Sequence, residues 1–147
     1  MATKYKSEDS LGYLVGRAGR SIGVRLNRNF TEAGYDVTCE QWVILANLWQ
    51  SNGQSQQELA GTSCKGKTSV TRLIDGLEKR NLVVRTPDKV DRRQKFIYLT
   101  NKGKVFQQEL LHIVEKTLDE AQQNIPAHDM AICKKVLCRV YENLTDK

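Results

Sequence analysis

Only two histidines and two prolines occur among 147 residues, and no stretch stays apolar for long. Each scarcity removes a class of function. A membrane-crossing helix needs about eighteen or more consecutive apolar residues; no run comes near that, so no membrane segment is expected. Met1-Ala2-Thr3-Lys4-Tyr5-Lys6 is polar and leads into no apolar signal core, which points to the cytoplasm. His112 and His128 are the only imidazoles, and neither a nucleophile elbow nor a glycine-rich phosphate loop is present. Converging nucleophile and base are therefore missing, and no catalytic residue and no enzyme activity is expected. His128, Cys133 and Cys138 invite a metal reading, but successive gaps of five turn helical side chains by about 140°, so the three do not share a face. Neither a metal nor a cofactor is expected. The four cysteines, at 39, 64, 133 and 138, lack the spacing of a secreted disulfide framework, and small buried thiols are the default.

What is present is charge, unevenly placed. A chain with 39% hydrophobic and 27% charged residues has the makings of one soluble globular domain. Its net charge of +6 has a single source: Cys64 to Lys104 carries twelve Lys or Arg against four Asp or Glu, while the rest carries eleven against thirteen. Inside that stretch Val70, Leu73, Ile74 and Leu77 recur at i, i+3, i+4, i+7, so a helix is expected with Lys65, Thr68, Arg72, Asp75 and Lys79 on its opposite side. Asn81 can end it in the left-handed conformation. Leu82 to Thr86 and Lys95 to Leu99 are β-branched or aromatic runs joined by Pro87 to Gln94, a hairpin with a long basic tip. A helix fits the major groove of a duplex, roughly 12 Å wide, and a thin basic hairpin reaches a neighbouring minor groove. A solvated charged face is the competing reading of the same residues.

The flanks are helical. Leu11, Leu14, Val15, Ala18, Ile22, Leu26 and Phe30 form one stripe, with Arg17, Arg20, Arg25 and Arg28 off it, until Gly34 stops the run. Residues 1 to 8 are expected to fray, with Asp9 or Ser10 as the cap. Thr38-Cys39-Glu40-Gln41 and Ser55-Gln56-Gln57-Glu58 both have the form of a capping box, one opening a helix through Trp42, Leu45, Ala46 and Trp49, the other a short helix carrying Leu59 and Ala60. Thr100 caps a long helix through Val105, Leu110, Val114 and Leu118, ended by Pro126. A last helix from about His128 carries Ile132, Val136, Leu137, Tyr141 and Leu144. These terminal helices hold more apolar surface than one small helical lobe can cover, which points to a second copy.

Gln57-Glu58-Leu59-Ala60, Lys67 to Asp75 with Leu77-Glu78-Lys79-Arg80, Asp91-Arg92-Arg93 and Leu99-Thr100-Asn101-Lys102-Gly103 together resemble the MarR family of bacterial winged helix-turn-helix regulators. Asn81 stands where that family usually has Gly, a replacement that left-handed φ tolerates at modest cost. The resemblance implies a mainly α fold with a small β-hairpin wing (α+β): a winged helix-turn-helix with N- and C-terminal dimerisation helices. One domain would span 1–147, with a DNA-binding lobe at about 36–100 and dimerisation helices at about 9–34 and 101–146. It implies a homodimer binding double-stranded DNA at an inverted-repeat operator, the recognition helices about 34 Å apart. Transcription would be regulated as by a repressor that an effector relieves.

The residues carried over for DNA are Lys65, Lys67, Thr68, Ser69, Thr71 and Arg72 for the major groove and its phosphates, and Arg92 and Arg93 for the wing. Asp91 would brace the wing by accepting from an arginine or backbone N–H groups. The family also binds aromatic or phenolic anions in a cleft between dimer helices and DNA-binding lobe. Tyr13, Arg17, Arg20, Tyr35 and Trp42 are the candidates here, Arg pairing an anion between flat apolar walls; the alternative is that Trp42 is core and the arginines are solvated. Cys39 falls in the first turn of a helix, where the dipole favours thiolate. The redox-sensing branch of the family carries its reactive cysteine near the start of the first helix, where this chain has none. A thiol-based sensor and a winged-helix module for an acidic protein partner are the alternatives to an effector-relieved repressor.

Overall fold

The computed structural model describes residues 6–61 and 67–145, apart from the side chains of Lys67 and Thr68. Helices α1 (Leu11–Glu32) and α2 (Cys39–Gln50) lead into a short strand β1 (Gln54–Ser55), then α3 (Gln56–Gly61) and α4 (Lys67–Lys79). Strands β2 (Val83–Pro87) and β3 (Lys95–Leu99) make the hairpin, and α5 (Asn101–Ala121) and α6 (Ala127–Thr145) follow. The order of elements is that of a winged helix-turn-helix flanked by long helices, as expected. The sheet is antiparallel in the order β1-β3-β2, so the hairpin is wider by one strand than the sequence indicates. Its register pairs Ser55 with Phe96, Val83 with Leu99 and Arg85 with Ile97.

Both capping boxes form. The Thr38 hydroxyl accepts from the Gln41 amide and the Gln41 side chain accepts from the Thr38 N–H, each at 3.1 Å. Ser55 and Glu58 repeat the exchange at 3.0 and 3.2 Å. Each box satisfies two N–H groups that the first turn of a helix leaves over. Gln41 also donates to the carbonyl of Leu73 at 3.3 Å, tying the start of α2 to the middle of α4. Asn81 ends α4 with φ 62°, as its side chain permits.

The core lies under the sheet: Leu45, Leu48, Leu59, Val70, Ile74, Leu77, Val83 and Ile97 are fully buried. Two backbones meet at the entrance to α5. Thr100 donates from its N–H to the carbonyl of Leu82 at 3.1 Å and accepts from the Gly103 N–H at 3.0 Å. A Cβ on Gly103 would run into that Leu82 carbonyl, so only glycine fits there.

Two local expectations need correction, the fraying before α1 and the end of α5. Of residues 1–8, Ser7 and Glu8 lie with Asp9 in a 3-10 turn rather than fraying, and 1–5 lie outside the described residues; Ser10 takes the N-cap of α1, as one of the two expected positions, without a side-chain capping bond. The stripe of α1 is buried at Leu26 and Phe30, while Leu11, Leu14 and Val15 are exposed, in line with the apolar surplus expected on the terminal helices. Helix α5 stops at Ala121, well before Pro126; Asn124 takes φ 65° in the connection, and the Pro126 carbonyl accepts from Met130 in the first turn of α6. The chain separates into two compact units, Met1–Thr117 and Leu118–Lys147. The apolar stripe of α6, in the second unit, has no buried residue.

Candidate nucleic-acid interface

Helix α4 buries Val70, Ile74 and Leu77 and thereby turns Ser69, Arg72 and Lys79 outward, where all three are exposed. Lys65 lies outside the described residues, as do the side chains of Lys67 and Thr68. Thr71 departs from the expected outward position. It is half-buried, and its hydroxyl accepts from Gln56 Nε2 at 2.6 Å, because residue 71 lies on the flank of α4 that meets α3.

The wing tip is shaped by two aspartates. Asp88 accepts from the Val90 N–H at 3.3 Å, and Asp91 accepts from the Arg93 N–H at 3.1 Å and from Arg93 Nε at 3.3 Å. The Gln94 N–H closes the turn on the Asp91 carbonyl at 3.0 Å. Arg92 is exposed, and Arg93 keeps 94% of its side chain exposed despite the ion pair. Exposed ion pairs contribute little to stability, but here two donors on one carboxylate oxygen set the direction of the tip.

Arg85 is the residue that sequence reasoning missed. Its side chain is only 17% exposed, and Nη1 bridges Asp75 at 2.7 Å and Glu78 at 2.9 Å. Nη2 donates to the Thr71 carbonyl at 3.1 Å and Nε to Gln56 Oε1 at 3.3 Å, while its backbone N–H donates to Glu78 at 3.3 Å. One guanidinium thus joins the wing to α4 and α3, using the fixed fork geometry that lysine lacks. The signal was available in the sequence: residue 85 has the inward phase of β2, two after the buried Val83, and Asp75 and Glu78 are three apart on α4. Asp75 lies on the outward polar face as expected, more than half exposed, and also pairs with Arg85 in this junction. Beside it, Gln56, Gln57 and Ala60 of α3 face Asp91, Arg93 and Lys95 across a groove of about 490 Å³.

The effector candidates do not form one site within a chain. Arg17 lies over the ring of Tyr13 at 5.1 Å, and roughly 25 Å of helix separates Tyr13 from Phe30 at the other end of α1. Arg20 is exposed on the same helix. Trp42 sits at that other end, its ring 6.5 Å from Phe30 and 5.2 Å from Trp49, in an aromatic cluster against the core. Tyr35 stacks edge-on against Phe106 at 5.4 Å and donates to Glu109 at 2.7 Å. That hydrogen bond, then burial and the Glu109 charge, push its phenol pKa up. With Asp36, Arg80, Lys102 and Phe106 it lines a cavity of about 240 Å³. Arg80 spans this region, donating to Asp36 at 2.9 Å and back to the Gly76 carbonyl of α4 at 2.7 Å.

Cys39 is half-buried, and burial followed by the neighbouring Glu40 charge pushes its thiol pKa up. Desolvation disfavours the thiolate that the helix terminus would favour. Among the described residues no cluster of three His, Cys, Asp or Glu is placed to hold a metal, and no helix is long and apolar enough to cross a membrane.

Comparison with known proteins agrees with this geometry. The sequence model of the MarR family matches residues 37–95, from just before α2 to the first residue of β3. The HTH-type transcriptional regulator MhqR of Bacillus subtilis is 25% identical over 127 residues, 86% of each chain. The crystal structure of transcriptional regulator PA3341 is 29% identical, with a TM-score of 0.79 over 94% of this chain and 100% of its own. Bordetella bronchiseptica BpsR, described in terms of the regulation of its DNA binding by 6-hydroxynicotinic acid, is 18% identical and shares the fold at a TM-score of 0.84 over 95% and 99%. Its helix-turn-helix, with the first strand and tip of its wing, is thus similar to the MarR family model, and nearly its whole length is similar to transcriptional regulators.

Proposed function

We propose that this regulator is a cytoplasmic homodimer that binds double-stranded DNA at an inverted repeat and represses transcription until a small effector loosens it. One observation carries the reading: the exposed Arg72 and the exposed Arg93 stand on two elements that the Arg85 junction fixes to each other. A major-groove helix and a minor-groove wing act together only if their spacing is held. Ser69 and Arg72, with Lys65, Lys67 and Thr68 beside them in sequence, face the major groove and its phosphates. Arg92 and Arg93 enter the minor groove, and Asp91 braces the tip. In this reading about 36–100 is the DNA-binding lobe of a single domain, and about 9–34 and 101–146 supply the dimer contacts.

The effector reading is supported by BpsR, whose DNA binding is regulated by a small aromatic acid. Tyr35, with Arg80 and Lys102 beside it, offers an aromatic wall next to two cations. Tyr13, Arg17 and Arg20 join such a site only if the second copy brings its own α1 to it. The experiment is a salt titration on mixed-sequence duplexes. Binding through several phosphate contacts makes log K fall steeply and linearly with log salt. Absence of duplex binding, with tight binding to an acidic protein surface instead, would replace this reading by a protein-interaction module.

A further inference from the structure

We propose that the groove between α3 and the wing is a cradle for the one sugar-phosphate strand that runs between the major and the minor groove, with Lys95 and Gln57 as its contacts. This rests on the reading that the lobe binds duplex DNA. The groove is built by the third strand: pairing Ser55 with Phe96 sets Gln56 and Gln57 beside Lys95. Lys95 has the same phase on β3 as the buried Ile97 and Leu99 but lies beyond the end of the core, and it is exposed. It therefore points over α3.

The side chains around the groove divide by what they are already doing. Gln56 has both ends of its amide engaged, donating to Thr71 at 2.6 Å and accepting from Arg85 at 3.3 Å, so it forms the fixed floor. Asp91 is taken up by Arg93. Gln57 is exposed, and neither it nor Lys95 has a hydrogen-bond or ion-pair partner among the described residues. Ala60 keeps the middle of the groove open. What remains for an occupant is one ammonium, the neutral amides of Gln57 and Gln94 and the outer face of Arg93, donors suited to phosphate oxygens and carrying no base preference. The occupant follows from position as well as charge. If α4 enters one groove of B-DNA and the wing the next, the backbone strand between those grooves crosses the protein between them. An acidic peptide is the competing occupant.

The test uses a duplex that the full-length protein selects from a random pool, resynthesised with a neutral methylphosphonate at one phosphate at a time. The wild type should lose roughly tenfold in affinity at one phosphate per half-site, between the major- and minor-groove contacts. In Lys95→Gln that loss should disappear while the losses at other phosphates persist, and the salt slope should fall by about one unit. Gln57→Ala should shrink the same loss without changing the slope. Unchanged melting temperatures would show that both variants fold. If both variants keep the wild-type methylphosphonate profile, or if a polyglutamate peptide displaces the duplex from wild type but not from Lys95→Gln, the cradle is wrong while DNA binding stands. If no duplex is selected at all, the DNA reading falls and the cradle with it.

Discussion

Helices α4 and α6 carry similar apolar stripes and meet opposite fates. In α4, Val70, Ile74 and Leu77 are fully buried beneath the sheet; in α6, Ile132 is 48% exposed, Val136 49% and Leu144 80%. Periodicity says which residues share a face, and it says nothing about what covers that face. For α4 the cover is in the same chain. For α6 we propose a second copy, because large apolar patches on a soluble protein mark interaction surfaces.

The largest effects should separate these two faces. Ile74→Ala should cost about 2–5 kcal/mol of stability through the cavity it leaves, read as a lower denaturation midpoint at any protein concentration. Ile132→Asp with Val136→Asp should instead convert a dimer to a monomer in sedimentation, with the helical signal of the winged lobe retained. If that double variant keeps the wild-type mass, the face of α6 is not the dimer contact. Next in size is the Arg85 junction. Arg85→Met should cost about 1–3 kcal/mol, since it leaves Asp75 and Glu78 without their shared partner. Asp75→Asn should cost about 1 kcal/mol or less, its carboxylate being more than half exposed. Equal losses for the two would mean that the guanidinium does not act as a hub.

The smallest effect is expected at Cys39. Its raised pKa keeps it a thiol at neutral pH, so alkylation should mark the exposed Cys138, which lies off the apolar stripe of α6, well before Cys39. Cys39→Ser should leave any peroxide response of DNA binding unchanged; loss of such a response would make Cys39 a sensor. The raised values of Cys39 and Tyr35 also give a sign for alkaline pH. Folding holds both protons, so this stability is fully present below the ordinary thiol pKa and is lost as pH rises through the higher folded values.

Features set by neighbours in sequence were legible, and features set by distant neighbours were not. The stripe of α4, the two capping boxes and the left-handed Asn81 depend on residues a turn apart, and all appear in the structure. Strand β1 is two residues long and exists only because Phe96 and Ile97 lie beside it, so no local pattern announces it. The inward orientation of Thr71 and the gathering of Asp75, Glu78 and Gln56 on Arg85 likewise depend on where α3 and the wing pack. Residue type alone selects the effector candidates, and tertiary placement divides them along α1, with Tyr13, Arg17 and Arg20 away from Tyr35 and Trp42. Asn124 ends the run after α5 earlier than Pro126 because a left-handed residue closes a helix without needing proline.

The central claim is that the lobe reads duplex DNA with two arginines doing different work, and paired binding isotherms for Arg72→Ala and Arg93→Ala test it most directly. Each variant is measured on the selected operator and on one changed at a single base pair, with A·T-rich and with G·C-rich flanks. Arg72, which can donate twice to guanine O6 and N7, should cost about 1–3 kcal/mol on the preferred operator and much less on the changed one. Arg93 should weaken both alike, lower the salt slope by about one unit, and matter most where A·T-rich flanks narrow the minor groove. If Arg93→Ala binds like wild type on every duplex, and Arg72→Ala loses the same affinity on both operators, the account is contradicted.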